Sequence, residues 1–341
     1  MTIIYNITHL IDKCMSIKSN KNNIKYGAIT LLLIISIGAV GSVNAIEGTI
    51  PDIFLLKNYS TNNDPAKAKS WHLSQDPRDD KRLGGTSVVT GVNGDGENMV
   101  VKIQPSGEKR QVRLDVYAGN ETNLKSNIES EEGSKPNQNV MSERGFMFKP
   151  NDWKNVEVTE YVKVNQLGSG SSNGGKHIEL EARSGVHSDG KYECQGTSYH
   201  FNVYEDGRVK MEKELKHNND YYPNSKDDPV KHNVIDGLKG KGWIGIKMVV
   251  SDSPNGVQVK GYLNFDSPGD TDSPTNNWTL VLEKIDNGNN WHTENGKSAC
   301  PDSNGSEFSG RLIDWGGPIV IFRSDNLKDV EWKWASVREI N

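Results

Sequence analysis

The sequence predicts an all-β protein, an antiparallel two-sheet sandwich of the jelly-roll type, and three observations carry that expectation. Beyond residue 86, apolar residues recur at every second position in run after run, the period of a half-buried strand. The chain of 341 residues holds 34 Gly and 13 Pro and has a mean hydropathy of −0.68, which suits strands joined by long polar turns. No stretch keeps a 3.6-residue period long enough for a helix, and there is no internal repeat.

The N-terminus follows a different rule. Residues 26–46 (YGAITLLLIISIGAVGSVNAI) form a single apolar run preceded by Lys18, Lys21 and Lys25. It ends in Val43-Asn44-Ala45, small residues where a signal peptidase cuts. A basic flank, an apolar heart and a small-residue exit predict a secretory signal over 1–45, with Met15 offering a second start. The rival reading is a retained membrane anchor, because the run just reaches the roughly 20 residues that span a bilayer. In either case the lysines stay inside and the rest is exported, to the cell surface or beyond. Residues 46–85 are polar and rich in Asn, Asp and Lys, and read as a flexible arm before a sandwich domain over 86–341.

Strand signals follow in order. They begin at 87–92, 99–104 and 111–117 (QVRLDVY), and a hydrophilic insertion covers 119–140. Alternation strengthens at 155–165 (NVEVTEYVKVN) and 177–183 (HIELEAR). The runs 197–204 and 208–216 are joined by Glu205-Asp206-Gly207, a hairpin turn; 243–251 and 257–266 are joined by Pro254-Asn255-Gly256, another. Runs at 278–285, 318–323 and 330–340 complete a set of roughly eleven to thirteen strands. Curved sheets of this number close over one core as a two-sheet jelly roll. Of the tryptophans in the C-terminal half (Trp243, Trp278, Trp291, Trp315, Trp332, Trp334), most are expected to pack, with one or two left to stack on a ligand.

Alternation also sorts the chemistry. In HIELEAR, Glu179, Glu181 and Arg183 share one side; in 197–204, Ser198, His200, Asn202 and Tyr204 do; in 208–216, Lys210, Glu212 and Glu214 do, while Lys213 interrupts the apolar side. If the three strands are neighbours, these residues form one patch. The plain reading is the solvated face of a sandwich. The functional reading is a groove for a polysaccharide or cell-surface glycan, since sugar hydroxyls and carboxylates need donors and acceptors together. Glu179, Glu181, Lys210 and Glu212 would contact the polymer, with His187 at the rim. A polysaccharide lyase acting on uronates needs a base and a neutraliser of the carboxylate. His200 or Tyr204 would be the base or acid, and Arg183 and Asn202 the neutralisers. The non-catalytic alternative is a structural or adhesion domain of the cell envelope.

Smaller signals complete the reading. The exported part holds two cysteines, Cys194 and Cys300, expected to form a disulfide worth roughly 4 kcal/mol in the chain-entropy model. Asn58, Asn120, Asn277 and Asn304 each open a glycosylation sequon. Asp266, Asp270 and Asp272 fall in one stretch (NFDSPGDTD) with enough oxygens for a structural calcium, and 93–97 (NGDGE) is a shorter version. A net charge of −5 with no basic face argues against nucleic acid as a partner.

Three segments, 145–164 (GFMFKPNDWKNVEVTEYVKV), 178–188 (IELEARSGVHS) and 313–340 (IDWGGPIVIFRSDNLKDVEWKWASVREI), resemble the concanavalin A-like lectin/glucanase superfold, which also houses polysaccharide lyases. More narrowly they resemble uncharacterised exported proteins of ammonia-oxidising archaea. The resemblance covers about the last 200 residues and implies a glycan-related role by fold analogy alone. Retaining glucanases of this fold carry Glu-x-Asp-x-x-Glu on one strand; here Ser184 stands where the last Glu should be, so the general acid is missing. The Gln-Ile/Val-His and Tyr-x-Lys-x-Gly-x-Tyr-x-Gln motifs of alginate-lyase relatives are absent.

Overall fold

The computed structural model describes residues 70–80, 82–84, 89–94, 99–104, 111–118, 153–169, 175–185, 197–215, 228–266, 275, 277–291 and 312–340. Among these residues there are fifteen strands and no helix. They are β1 (Ser70–His72), β2 (Leu83–Gly84), β3 (Val89–Asn93), β4 (Val100–Ile103), β5 (Gln111–Tyr117), β6 (Val156–Leu167), β7 (His177–Ser184), β8 (Ser198–Tyr204), β9 (Val209–Glu214), β10 (Val230–Lys231), β11 (Ile244–Ser253), β12 (Gly256–Asn264), β13 (Thr279–Asp286), β14 (Ile319–Asp325) and β15 (Leu327–Glu339). The signal segment, the sequons at Asn58, Asn120 and Asn304, and the Cys194–Cys300 pair lie outside the described residues.

The strands form two antiparallel sheets. The first has eight strands in the order β13-β12-β11-β6-β15-β4-β3, with β1 also on β15; the second has seven, in the order β10-β9-β8-β7-β14-β5-β2. β1 and β2 come from the stretch read as an arm, yet Trp71, Leu73 and Leu83 are buried in the shared core. The two hairpins form where their turn residues stand. Gly207 and Gly256 take φ of 88° and 126°, a region closed to most side chains. β14 and β15 belong to different sheets and are separated by Asn326 alone, whose φ of 54° turns the chain. Asn tolerates that conformation better than other non-glycine residues.

One hydrophobic cluster joins the inner faces. It runs from Val158, Val162, Ile246 and Val259 on the first sheet to Leu180, Phe201, Met211 and Phe322 on the second. The sheets approach so closely that a Cβ at Gly261 would lie 2.4 Å from the Phe201 ring. Each such buried side chain contributes about 1.5–3 kcal/mol by leaving water.

Ionisable residues break the inner alternation, Glu160 and Lys213 among them. Glu160 lies on the same side of β6 as Val158 and Val162, opposite Ile246, and is fully buried. Neither of its carboxylate oxygens has a hydrogen-bond partner among the described residues. Burial pushes its pKa well above the carboxylate range, which favours the neutral acid. Lys213, the interruption seen in the sequence, is resolved differently: its Nζ lies 2.8 Å from Asp286 Oδ2, a link between β9 and β13 across the sandwich.

Candidate functional site

The outer face of the second sheet carries the polar residues in cross-strand rows. One row runs Arg323, Glu179, Asn202, Lys210 over β14, β7, β8 and β9; the next runs Glu181, His200, Glu212 over β7, β8 and β9. Asp325, His177 and Tyr204 make a third, and Ser198 faces Glu214. Period-two alternation in each strand, combined with antiparallel register, brings His177 and Asp325, 148 positions apart, onto one surface. The patch is not solvated: Glu179, Glu181, His200 and Asn202 each keep 2% or less of their surface.

Buried charge must be paired, and here it is. Arg323 is the hub. Its guanidinium reaches Asp325 at 3.0 and 2.8 Å, Glu179 at 3.2 Å and Glu181 at 3.3 Å. His200 Nδ1 bonds Glu179, and its Nε2 lies 2.6 Å from Ser198 Oγ and 3.4 Å from Glu214. Burial alone would depress this imidazole, but Glu181 and Glu179 outweigh it and hold its pKa well above the ordinary value. Burial likewise works against Glu179 as an anion, yet Arg323 and His200 hold it well below the carboxylate range. His177, 3.4 Å from Glu179 and 3.5 Å from Asp325, is also raised by those carboxylates against burial. Its ring lies 4.7 Å from that of Tyr204, whose phenol is pushed up by burial and by Glu212 and Glu179.

Toward β9 the network opens. Asn202 Nδ2 donates to Glu212 at 3.0 Å, and Lys210 pairs with Glu212 and, at 2.9 Å, with Asp228. The side chains of Lys210 and Glu212 keep 15% and 25% of their exposure, against 3% and 1% for Glu179 and Glu181.

Arg183 corrects the expectation that it shares this surface. β7 bulges against β14 between Ile319 and Ile321, and Arg183 takes a φ of 53°. An extra residue in one strand reverses the parity that follows it. The Arg183 side chain is fully buried and bonds Lys154 O, Ile313 O, Asn155 Oδ1 and Asp252 Oδ1 at 2.7–3.0 Å. It ties β7 to β11 of the other sheet. His187 lies outside the described residues, as do Asp270 and Asp272. Asp266 Oδ2 accepts from Thr275 Oγ1 at 3.0 Å and Asn277 Nδ2 at 3.1 Å. Among the described residues, two groups have ligand spacing, His177–Glu179–Asp325 and Glu179–Glu181–His200. Arg323 already neutralises the same carboxylates, so a divalent ion there would have to displace it.

Sequence reasoning missed His177, Arg323 and Asp325. The signal was present: Ile319, Ile321, Arg323 and Asp325 alternate, but which strand they face is a matter of topology.

The outer face of the first sheet is built from rings and lysines. Tyr161 meets Trp334 edge-on at 5.2 Å and Trp278 at 5.8 Å. Lys333 Nζ sits 3.6 Å from the centre of Trp334, and Lys247 Nζ 4.6 Å from that of Trp278. Beside them Trp243, Ile244, Phe265, Val234 and Ile235 line a cleft of about 300 Å³, with Asp236 and Lys241 paired at its rim.

No family model and no curated protein matches the chain. Among solved structures it is similar to the alginate lyase Aly36B, with 9% identity over 80% of this chain and 96% of that one, at a TM-score of 0.37. It is similar to the winged bean acidic lectin complexed with methyl-α-D-galactose, with 10% identity over 81% and 100% of the two chains, at a TM-score of 0.35. It is also similar to the Ca2+-bound exoplasmic/lumenal domain of VIP36, with 10% identity over 82% and 85%, at a TM-score of 0.33. At these scores the architecture rests on this chain's own strand order and register.

Proposed function

We propose that the chain is an exported glycan-binding jelly-roll protein whose sugar contacts run along β9 and β8. The observation that supports this most is the partly exposed Lys210–Glu212 pair on β9, beside an otherwise sealed polar network. It offers a cation and a carboxylate side by side, with Glu212 held from behind by the buried Asn202 amide. Such a mixture of donors and acceptors suits the hydroxyls of a polysaccharide or cell-surface glycan. The 26–46 segment supports export, and its retention would make the protein a surface-attached adhesion domain.

The narrower reading is a lyase acting on uronate polymers. It calls for His200 or Tyr204 to take the sugar proton, which requires a free basic atom. His200 has both ring nitrogens engaged and favours the imidazolium, and the Tyr204 phenol is held protonated. These features favour binding over β-elimination. A panel of uronans followed by ultraviolet absorbance separates the two. Binding without an unsaturated product supports the present reading. Product formation that is abolished in His200→Ala and in Tyr204→Phe would replace it with the lyase.

A further inference from the structure

We propose that Lys213 and Asp286 condense to an intramolecular isopeptide bond that ties β9 of the second sheet to β13 of the first.

The geometry is that of a reaction site sealed from water. Both side chains are 0% exposed, and Lys213 Nζ lies 2.8 Å from Asp286 Oδ2. The Tyr199 hydroxyl donates to the same oxygen at 2.7 Å and itself accepts from the Ile313 N–H at 3.3 Å. The other oxygen, Oδ1, accepts the Gly288 N–H at 2.9 Å. The Trp291 ring is 5.8 Å from Nζ and 5.6 Å from the Tyr199 ring, closing the site with apolar surface. The two carboxylate oxygens are thus differentiated: one has a backbone donor, the other a proton donor and the amine.

Each part has a role in the condensation. Separated charges are costly in such a site, so the pair can neutralise by passing one proton from the ammonium to Oδ2. Burial lowers the affinity of Lys213 for that proton, although Asp286 opposes it. The Nζ lone pair then attacks Cγ, and negative charge develops on Oδ1 against the Gly288 N–H, a backbone donor placed like those of an oxyanion hole. Tyr199 gives its proton to Oδ2 and regains one from the nitrogen. The Cγ–Oδ2 bond breaks and Oδ2 leaves as water. Of the three ammonium protons, one stays on the new amide nitrogen and two leave with the oxygen, so the step needs no oxidant and no co-reactant. Fixed contact between the partners replaces the encounter that makes amide formation slow in solution.

The test is the mass of the intact chain, purified after expression and measured denatured and reduced. The expected chain is lighter than its sequence by one water, and proteolysis yields a branched peptide joining Lys213 to Asp286. Lys213→Met and Asp286→Asn should restore, respectively, the full mass of each variant and a mass showing loss of ammonia instead of water. Tyr199→Phe should slow bond formation and leave a mixture. A wild-type chain at full mass, with Lys213 and Asp286 recovered on separate linear peptides, overturns the proposal whether or not any variant folds.

Discussion

The outer face of the second sheet and the outer face of the first bury charge by different means. On the second sheet, carboxylates are neutralised by Arg323, His177 and His200, so every charge is held by another charge. On the first, Lys333 and Lys247 lie over Trp334 and Trp278, and Lys247 also pairs with Glu157 at 3.0 Å. A ring face attracts a cation without itself carrying a charge that must be desolvated. An ion-pair network pays desolvation on both sides and collapses when one member is removed. The comparison separates a scaffold, closed by rings, from a face whose polar valence extends to an open edge at Lys210 and Glu212.

The largest break in that contrast is Arg323→Ala. It leaves Glu179, Glu181 and Asp325 facing one another without their shared cation, and should cost about 3–5 kcal/mol in urea denaturation. Lys333→Met on the ring-lined face should cost about 2 kcal/mol or less, because a neutral chain of similar shape keeps the packing. Equal losses from the two substitutions would erase the distinction.

The pH dependence sharpens it. Glu179 is depressed in the fold, so its contribution is complete above about pH 4.3 and is lost as the pH falls below that. His200 is raised, so its contribution is complete below about pH 6.5 and is lost as the pH climbs through its folded value. Glu160 acts on the inner face with the same sign as His200: the unfolded chain releases its proton above about pH 4.3 while the fold retains it. Stability should therefore peak near about pH 4.5, fall on the acid side, and decline above it with a steeper loss beyond about pH 6.5. Glu160→Gln should flatten the alkaline slope; an unchanged slope would mean that Glu160 is ionised in the fold.

The smallest expected effect is Glu212→Gln, whose amide keeps an acceptor for Asn202 and which is partly exposed; it should shift stability by about 1 kcal/mol or less.

Much of the fold was legible because alternation is a local property. The strands 111–117, 177–183 and 197–204 follow from it, and Gly207 and Gly256 mark the β8–β9 and β11–β12 hairpins. The shared face of Glu179, Glu181, His200, Asn202, Lys210 and Glu212 was legible too, since three consecutive strands pair as neighbours. Arg183 was misplaced because a bulge reverses parity and leaves no mark in HIELEAR. Arg323 and Asp325 were missed because β14 inserts beside β7 from more than a hundred residues away. The burial of the patch was equally hidden: alternation gives the side of a sheet, not what lies over it. Trp71, Leu73 and Leu83 show the converse, short apolar anchors inside a stretch whose composition reads as an arm.

The most direct measurement is glycan retention by wild-type protein and by the Lys210→Ala/Glu212→Gln double variant, on an array of neutral and uronate-containing polysaccharides, with stability recorded alongside. The account predicts that the wild type binds at least one glycan class and that the double variant loses that binding while still unfolding in one cooperative transition. Equal binding by the folded double variant would contradict the site. A folded wild type that retains no glycan would contradict the function.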